Sequence, residues 1–480
     1  MELELRILQN KTNFKDLEKE IFRIVCKEAR IRFKKILEKI DQAIMDSRDK
    51  DKFKLKDIKK RTIDTLFGDV TIERRYYKDS NDKFRFLLDE YLNIPTNERQ
   101  SPALKEIALD LVQELPYRKA ADKIDNILEA SASHTAIFNW VQREEEKLSK
   151  EAETKQLDFF RDGLIPDDKN GDRKEIDHLF VEADGIHIPL QNDDKQKGEL
   201  KLGMSYQGWE KRHPMSDEYN LTDKKYYGGV FSSEEFWKET AAEMYEDYSF
   251  SYGSISVLCG DGAEWITTGS EYIPQIKVRF LDEYHLNKKF FRKLGRSEFV
   301  PKLLENIEES DIDKLRENLK KARQYRHKKK DKKKVDQLKK YLLKNWGFIR
   351  DKKQEQKKKN LGLPDEIRGL GAMESNIDKV LANRFKKRGM RWSRKGARNL
   401  AKIIIADRND SLEKHLNKIN WEFKTDDLRK VYNNVQKKYS RSESEVLKAK
   451  MPALKGPKSG QDWVKGLKNI SDPMTNNPIN

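Results

Sequence analysis

The feature that most constrains the fold is a change of hydrophobic period after about residue 174, where short apolar runs replace helical spacing. A helix is predicted from Ser233 to about Tyr248, and a short helix is predicted from Gly262. Five strands are predicted, at 179–184, 199–206, 226–231, 254–261 and 275–282. The order is therefore three strands, a helix, a strand, a helix and a strand, which indicates an α/β ribonuclease-H-like core with a mixed five-stranded sheet.

Acidic residues stand at the ends of the first and fourth of these strands. Asp184 and Asp261 are far apart in the sequence, but the two strands are neighbours in such a sheet, so the carboxylates should meet. A third acid is expected on a helix beside the sheet, and Glu374 is favoured. An Asp-Gly turn and a helix-dipole role are the ordinary alternatives for these residues. Other candidates for the third acid are Asp365, Glu366 and Asp378.

Three such carboxylates are suited to phosphodiester chemistry. Two Mg²⁺ ions about 3.5–4 Å apart can activate an attacking water or 3′-hydroxyl and stabilise the leaving oxygen. We expect Asp184 and Glu374 each to hold one ion and Asp261 to bridge them, with Mn²⁺ able to substitute for Mg²⁺.

The remaining patterns divide the chain into seven parts. They are N-terminal helices (1–55), a small β-hairpin region (56–100), a helix-turn-helix DNA-binding region (101–150), the first part of the core (174–295), a basic helical insertion (296–362), the last core helices (363–410) and a basic helical C-terminus with a tail (411–480).

The segment 101–150 has the pattern of three short helices. Ser133 is placed to cap the third helix, which a helix-turn-helix would present to a DNA groove. A plain three-helix bundle is the alternative. Groove contacts are expected from His134, Thr135 and Asn139, and phosphate contacts from Arg118 and Lys119.

The charge balance indicates a polyanionic partner, since 100 Lys and Arg residues against 83 Asp and Glu residues give a net charge of +17. Solvated helices in a Lys-rich chain are the alternative. The insertion carries the densest basic run, and a packed helical subdomain with one phosphate-facing side is predicted there. Further DNA contacts are expected from Lys328, Lys329 and Lys330, and from Arg384, Lys387 and Arg388 beside Trp392.

Several short segments together resemble the bacterial ISLre-type insertion-sequence transposases, DDE enzymes related to the Mutator-like group. They are TLFGDV (65–70), LDE (88–90), PYRKA (116–120), VEADG (181–185), GDGAEWI (260–266), LDEYH (281–285), GAME (371–374) and KRGMRWS (387–393).

The resemblance implies that Asp184, Asp261 and Glu374 are the DDE residues. It also implies that Asp282 and His285 act close to the cleaved DNA. The implied function is binding of the element's terminal inverted repeats, followed by strand cleavage and transfer into target DNA. The chain would act as a homodimer or larger assembly on double-stranded DNA. A ribonuclease-H-like nuclease without joining activity, or a catalytically dead DNA-binding regulator, is the alternative.

The cysteine content and the hydropathy of the sequence indicate the cellular compartment of the protein. Two cysteines exclude a disulfide framework, and neither a signal peptide nor a membrane-spanning run is present in the sequence. We expect a cytoplasmic, nucleoid-associated bacterial protein with no membrane partner.

Overall fold

The computed structural model describes residues 13–92, 94, 98–162, 173–349, 370–387 and 389–416. These residues form two compact units. The first contains the described residues up to Lys105 together with Asp122–Ala132, and the second contains Glu106–Ala121 and the described residues from Ser133 onward.

The first unit pairs one long helix with a small antiparallel sheet. Helix α1 (Phe14–Ser47) begins at Asn13, whose side chain accepts a hydrogen bond from the Asp16 N–H at 3.0 Å. The sheet contains β1 (Phe53–Thr65), β2 (Gly68–Asp79) and β3 (Phe84–Arg85) in that order, and α2 (Leu87–Tyr91) follows it. The turn between β1 and β2 reaches Gly68, where φ is +101°.

A buried charge cluster fastens α2 to this sheet. The Asp89 carboxylate lies 2.6 Å from a nitrogen of Arg61 on β1 and 2.5 Å from a nitrogen of Arg74 on β2. All three side chains are buried. One carboxylate therefore balances two guanidinium groups away from water, which makes the cluster sensitive to the loss of any member.

Three helices form where the sequence predicts them, and they are α3 (Pro102–Glu114), α4 (Tyr117–Ile127) and α5 (His134–Phe160). The predicted cap is confirmed, because the Ser133 hydroxyl accepts a hydrogen bond from the Ala136 N–H at 3.1 Å. Helix α5 runs further than expected, to Phe160.

The second unit contains the predicted mixed five-stranded sheet. The strands of this unit are β4 (Lys174–Pro189), β5 (Lys197–Tyr206), β6 (Gly208–Lys211), β7 (Tyr219–Thr222), β8 (Lys225–Val230), β9 (Tyr248–Gly260) and β10 (Ile276–Leu281). The order in the sheet is β10-β9-β4-β5-β8; β4 pairs antiparallel with β5 and parallel with β9, and β9 pairs parallel with β10. A two-stranded hairpin, β6–β7, which the sequence did not predict, precedes β8.

Helix α6 (Ser233–Asp247) covers one face of this sheet. Its buried Phe236, Trp237 and Met244 pack in one cluster with Val181 and Ala183 of β4. Because neighbouring residues of a strand point to opposite faces, Glu182 and Asp184 point to the other face. Short helices α7 (Glu264–Thr267) and α8 (Gly269–Tyr272) follow β9, and α9 (Glu283–Leu294) follows β10.

The described part of the insertion is helical, and its buried side chains share one apolar cluster with Leu281 of β10 and with Leu286, Phe290 and Leu294 of α9. Leu338 and Leu342 are buried in it, whereas Tyr325 is exposed. Its helices are α10 (Phe299–Glu308), α11 (Ile312–Gln324), α12 (Lys329–Lys344) and α13 (Trp346–Ile349).

The last described helices return to the sheet. Helix α16 (Arg394–Arg408) contacts α5 and α6 through Arg398, which forms ion pairs with both Glu145 and Glu235. The elements are α14 (Met373–Ile377), a π-helical turn (Asp378–Ala382), α15 (Asn383–Phe385), α16 (Arg394–Arg408) and α17 (Leu412–Leu416).

Within the described parts of the chain, no helix is long and apolar enough to cross a bilayer.

Replacing Asp89 with Ala should destabilise the first unit by roughly 3–5 kcal/mol, because two buried guanidinium groups lose their shared carboxylate. Amide hydrogen exchange of peptides from β1 and β2 measures the effect as faster deuterium uptake. The control is Glu73→Gln, which removes an exposed ion pair with Lys60 on the same two strands and should change stability by less than about 1 kcal/mol. Equal uptake in the two variants would contradict the prediction.

Candidate active site

Parallel pairing of β4 with β9 brings the first two predicted acids to neighbouring positions. Ala183 is the register partner of Gly260, so Asp184 and Asp261 are the next residues along the two strands. The sequence predicted that Asp184 ends its strand, which is wrong, because β4 continues to Pro189 and Asp184 lies within it. Asp261 leaves β9 in a turn, where its carboxylate accepts a hydrogen bond from the Ala263 N–H at 2.8 Å.

The third parallel strand brings Asp282 and His285 to the same edge. Leu281 pairs with Gly260, and the Asp282 N–H donates to the Gly260 carbonyl at 2.8 Å. The buried Asp282 carboxylate caps α9 by accepting a hydrogen bond from the Tyr284 N–H at 2.7 Å. Its other oxygen lies 3.2 Å from Nδ1 of His285, one turn along the helix.

Glu374, in the first turn of α14, completes the cluster. His285 Nε2 lies 3.7 Å from Glu374 Oε2 and 4.0 Å from Asp184 Oδ2. One ligand atom from each of these three residues lies within 4.8 Å of the other two. The structure thus brings Asp184 and Glu374 together, with His285 between them and Asp261 beside Asp184.

A buried carboxylate that the sequence analysis missed holds the segment before Glu374. Glu182, two residues before Asp184 on the same face of β4, accepts hydrogen bonds from the Gly371 N–H at 3.1 Å and the Met373 N–H at 2.8 Å. The Tyr206 hydroxyl donates to it at 2.7 Å. Acids at i and i+2 of a strand share a face, and this spacing was the available signal.

The insertion also reaches this edge of the sheet. The Tyr341 hydroxyl of α12 donates to the Asp261 carbonyl at 3.0 Å. Gly262, whose φ is +79°, has no room for a side chain, because an added Cβ would lie 2.7 Å from Oδ1 of Asn345, the residue that caps the C-terminal end of this helix. Helix α12 therefore supports the turn that carries Asp261.

The cluster is acidic and partly withdrawn from water, and the pKa values follow from that. Burial raises the pKa of Asp184 to about 6, and the nearby Asp261 and Glu374 add to the increase. The hydrogen bond to Asp282 raises the pKa of His285, while burial opposes it. Burial also raises the pKa of Glu182, although its three hydrogen-bond donors favour the charged form.

Two lysines of α9 border the cluster. Lys288 Nζ lies 3.6 Å from Glu374 Oε1. Lys289 Nζ lies 3.4 Å from the centre of the Tyr341 ring, and burial lowers its pKa. Both cations stand beside carboxylates, so they offset part of the negative charge that the three strands concentrate here.

Most residues predicted to contact DNA are exposed. Lys387 makes an ion pair with Asp378, with 2.7 Å between the charged atoms. The residues of this exposed group are Arg118, Lys119, His134, Thr135, Asn139, Lys328, Lys329, Lys330 and Lys387.

The prediction that Arg384 and Trp392 contact DNA is wrong, because both side chains are buried. Arg384 donates to the Val112 carbonyl at 2.8 Å. Trp392 packs against Phe385, with 4.7 Å between ring centres, and its backbone N–H donates to the Pro189 carbonyl at the end of β4. Arg388, predicted with them, lies outside the described residues.

Replacing Glu182 with Gln should loosen the segment that carries Glu374. The side-chain amide would put an N–H group opposite one of the two backbone N–H groups, of Gly371 and Met373, that now donate to the carboxylate. The cost of an unsatisfied buried donor is about 1–3 kcal/mol, so local exchange should accelerate roughly tenfold to a hundredfold. Hydrogen exchange of peptides spanning 370–377 measures it. Glu199→Gln, which changes a partly exposed carboxylate on the adjacent strand, is the matched control. Unchanged exchange at 370–377 in the Glu182 variant would refute the anchoring role.

Comparison with known proteins gives relatives over most of the chain. Residues 7–424 match the model of a family described as an uncharacterised protein family, UPF0236. A UPF0236 protein of Caldanaerobacter subterraneus subsp. tengcongensis is 27% identical over 407 residues, which is 84% of this chain and 79% of the relative. A "UPF0236 protein in vanSb 3′ region" of Streptococcus gallolyticus is 23% identical over 412 residues, which is 85% of this chain and 86% of the relative.

Among solved structures, the Drosophila P element transposase strand transfer complex is similar over 69% of this chain and 83% of that chain, with 8% identity and a TM-score of 0.22. A similarity of that size assigns neither a fold nor a function. The family match rests on sequence and covers most of the residues. The chain belongs to the UPF0236 family.

Proposed function

We propose that this protein is a metal-dependent DNA transposase of the DDE type, belonging to the ISLre-type group, with Asp184, Asp261 and Glu374 as the catalytic acids. The observation that carries the proposal is the meeting of residues from β4, β9, α9 and α14 at one edge of the sheet. Ala183 and Gly260 are paired, so Asp184 and Asp261 are neighbours, and His285 lies 4.0 Å from Asp184 and 3.7 Å from Glu374.

The arrangement of strands supports a ribonuclease-H-like core. The three strands β4, β5 and β8 come first and pair antiparallel. Strand β9 then pairs parallel with β4, and β10 pairs parallel with β9, which gives the order β10-β9-β4-β5-β8. Asp184 and Asp261 lie where β4 and β9, the first and fourth of these five strands in chain order, are adjacent. Such a sheet gives catalytic carboxylates a rigid frame, which suits a reaction that depends on positioning and electrostatics.

The residues fit a site for hard divalent cations, since carboxylate oxygens are the ligands that Mg²⁺ prefers. Two bound Mg²⁺ or Mn²⁺ ions would activate the attacking water or 3′-hydroxyl and stabilise the leaving oxygen. Asp184, Asp261 and Glu374 are the residues that would hold these ions. Lys288, beside Glu374, stands where a cation can attract a DNA phosphate to the same edge.

DNA binding is assigned to the exposed basic and polar surfaces. Helices α3 to α5 would form a helix-turn-helix in which His134, Thr135 and Asn139 at the exposed start of α5 read the element ends. Arg118 and Lys119 would contact phosphates. Because cleavage and joining involve two element ends, we propose that a homodimer or larger assembly acts on the DNA.

Replacing Asp184 with Ala should sharply reduce strand cleavage, because one of the three proposed catalytic acids is lost. A loss on the order of a hundredfold to a thousandfold is expected. The substrate is a plasmid that carries the gene with its native flanking DNA, incubated with Mg²⁺ or Mn²⁺, and nicked and joined products are quantified on gels. The control is Asp177→Ala, an exposed acid on the same strand.

The products distinguish the proposed function from its alternatives. Cleaved ends that become joined to a second duplex support a transposase. Cleavage that never yields joined DNA would instead indicate a nuclease, and metal-independent binding without cleavage would indicate a regulator. Cleavage that survives the Asp184 change would exclude this site as the catalytic centre.

The lysine run at the start of α12 should contribute to DNA affinity. If three phosphates are neutralised by Lys328, Lys329 and Lys330, replacing all three with Gln should reduce the slope of log affinity against log salt by up to about 2.7. The measurement is a fluorescence anisotropy titration of a labelled duplex at several salt concentrations. Gln at three exposed lysines of α1, Lys15, Lys19 and Lys27, changes the net charge equally and is the control. Equal slopes in the two variants would refute a local phosphate contact.

A further inference from the structure

His285 occupies the centre of the acidic cluster rather than its border. Its Nε2 faces Asp184 Oδ2 at 4.0 Å and Glu374 Oε2 at 3.7 Å, while its Nδ1 lies 3.2 Å from Asp282 Oδ2. The ring is partly buried, on the first turn of α9. One ring nitrogen is thus engaged by a carboxylate, and the other points between two further carboxylates.

Each of these three residues has its second polar atom engaged elsewhere. Asp184 Oδ1 accepts a hydrogen bond from the Gly185 N–H at 2.7 Å. Glu374 Oε1 faces Lys288 Nζ at 3.6 Å. The atoms left to converge are Asp184 Oδ2, His285 Nε2 and Glu374 Oε2. Three separate anchors therefore orient one oxygen, one nitrogen and one oxygen toward a common point.

Asp282 fixes the histidine in the form that a metal requires. Metal-binding histidines commonly donate the other ring N–H to a carboxylate, which sets the tautomer and the ring orientation. Asp282 can do this because its own position is rigid: it is buried, it caps α9, and its N–H is bonded to the Gly260 carbonyl. With Nδ1–H directed to Asp282, a neutral ring offers its lone pair at Nε2.

The separations suit ligands of one ion. Two ligand atoms about 2.1 Å from a metal lie about 3.0 Å apart at a right angle and about 4.2 Å apart when opposite. The separations of 3.7 Å and 4.0 Å fall within that range. The third separation, between ligand atoms of Asp184 and Glu374, is within 4.8 Å, so a small adjustment of the side chains would let the three residues share an ion.

We infer that His285 is itself a metal ligand, so that Asp184, His285 and Glu374 form a mixed nitrogen–oxygen site for a divalent transition-metal ion such as Mn²⁺. This inference rests on the proposed function, which supplies the use of the ion, and it adds the class of ion that the site binds. An imidazole ligand favours transition-metal ions over Mg²⁺, which prefers an all-oxygen shell. One of the two ion positions therefore discriminates against Mg²⁺, and Asp261 serves the other.

The test is electron spin-echo envelope modulation of the full-length protein with Mn²⁺ alone, without DNA. A directly bound imidazole should give ¹⁴N modulation from the Mn²⁺ signal. Labelling the protein with ¹⁵N-histidine should replace that pattern with the ¹⁵N pattern, and this result needs no mutation. The chain has seven histidines, so variants assign the residue.

His285→Gln should remove the modulation and lower Mn²⁺ affinity by at least about tenfold, with a smaller effect on Mg²⁺ affinity. His187→Gln, at an exposed position three residues beyond Asp184 on β4, should retain both. Isothermal titration gives the two affinities, and circular dichroism checks that each variant is folded.

The outcomes separate this inference from the proposed function. Mn²⁺ bound without nitrogen modulation would overturn the inference, and DNA cleavage by the wild-type protein would then leave the transposase proposal standing. Nitrogen modulation that is lost in His285→Gln would support the inference even if the protein cleaves no DNA, a result that would contradict the transposase proposal alone. Modulation that persists in His285→Gln would assign the ligand to another histidine and refute the inference.

Discussion

The parallel pairing of β4 with β9 is the constraint on which the candidate site depends. It sets Asp184 beside Asp261, and β10, paired to β9 in turn, adds Asp282 at the same edge. Placing several carboxylates in a partly buried cluster disfavours their charged forms. Burial and the acidic neighbours therefore raise the pKa of Asp184 to about 6. Lys288 supplies positive charge next to Glu374. The cluster is therefore suited to binding cations, which the proposed phosphodiester reaction would use.

The support around the cluster is drawn from remote parts of the chain. Glu182, inside the sheet, holds the backbone on the N-terminal side of Glu374, and Tyr341, from the helical insertion, holds the carbonyl of Asp261. Close packing leaves little freedom at these points, since Gly371 has φ of +122° and an added Cβ there would lie 3.0 Å from Asp282 Oδ1. The insertion thus has a structural role at the site besides any role of its lysines in binding DNA.

Sequence patterns predicted the elements of the second unit closely. The five strands, the helix from Ser233 and the cap at Ser133 all lie where periodicity and capping chemistry put them, because these signals are local. Side-chain exposure was harder to predict. Arg384 and Trp392 were expected to face DNA, yet one is bonded to the Val112 carbonyl and the other is fixed to the end of β4. A basic residue beside an aromatic ring has the same sequence pattern whether the pair is buried or exposed.

The sequence by itself determined the order of strands and helices, the positions of Asp184 and Asp261 on strands one and four, and the excess of positive charge. The match to the UPF0236 family covers residues 7–424, which is most of the chain. Only the tertiary structure decided that Glu374 approaches Asp184, that His285 lies between them and that Glu182 anchors the segment carrying the third acid. The physical reason is that strand and helix periods are set by neighbours in sequence. A meeting of β4, β9, α9 and α14 depends instead on pairing and packing between segments that are distant along the chain.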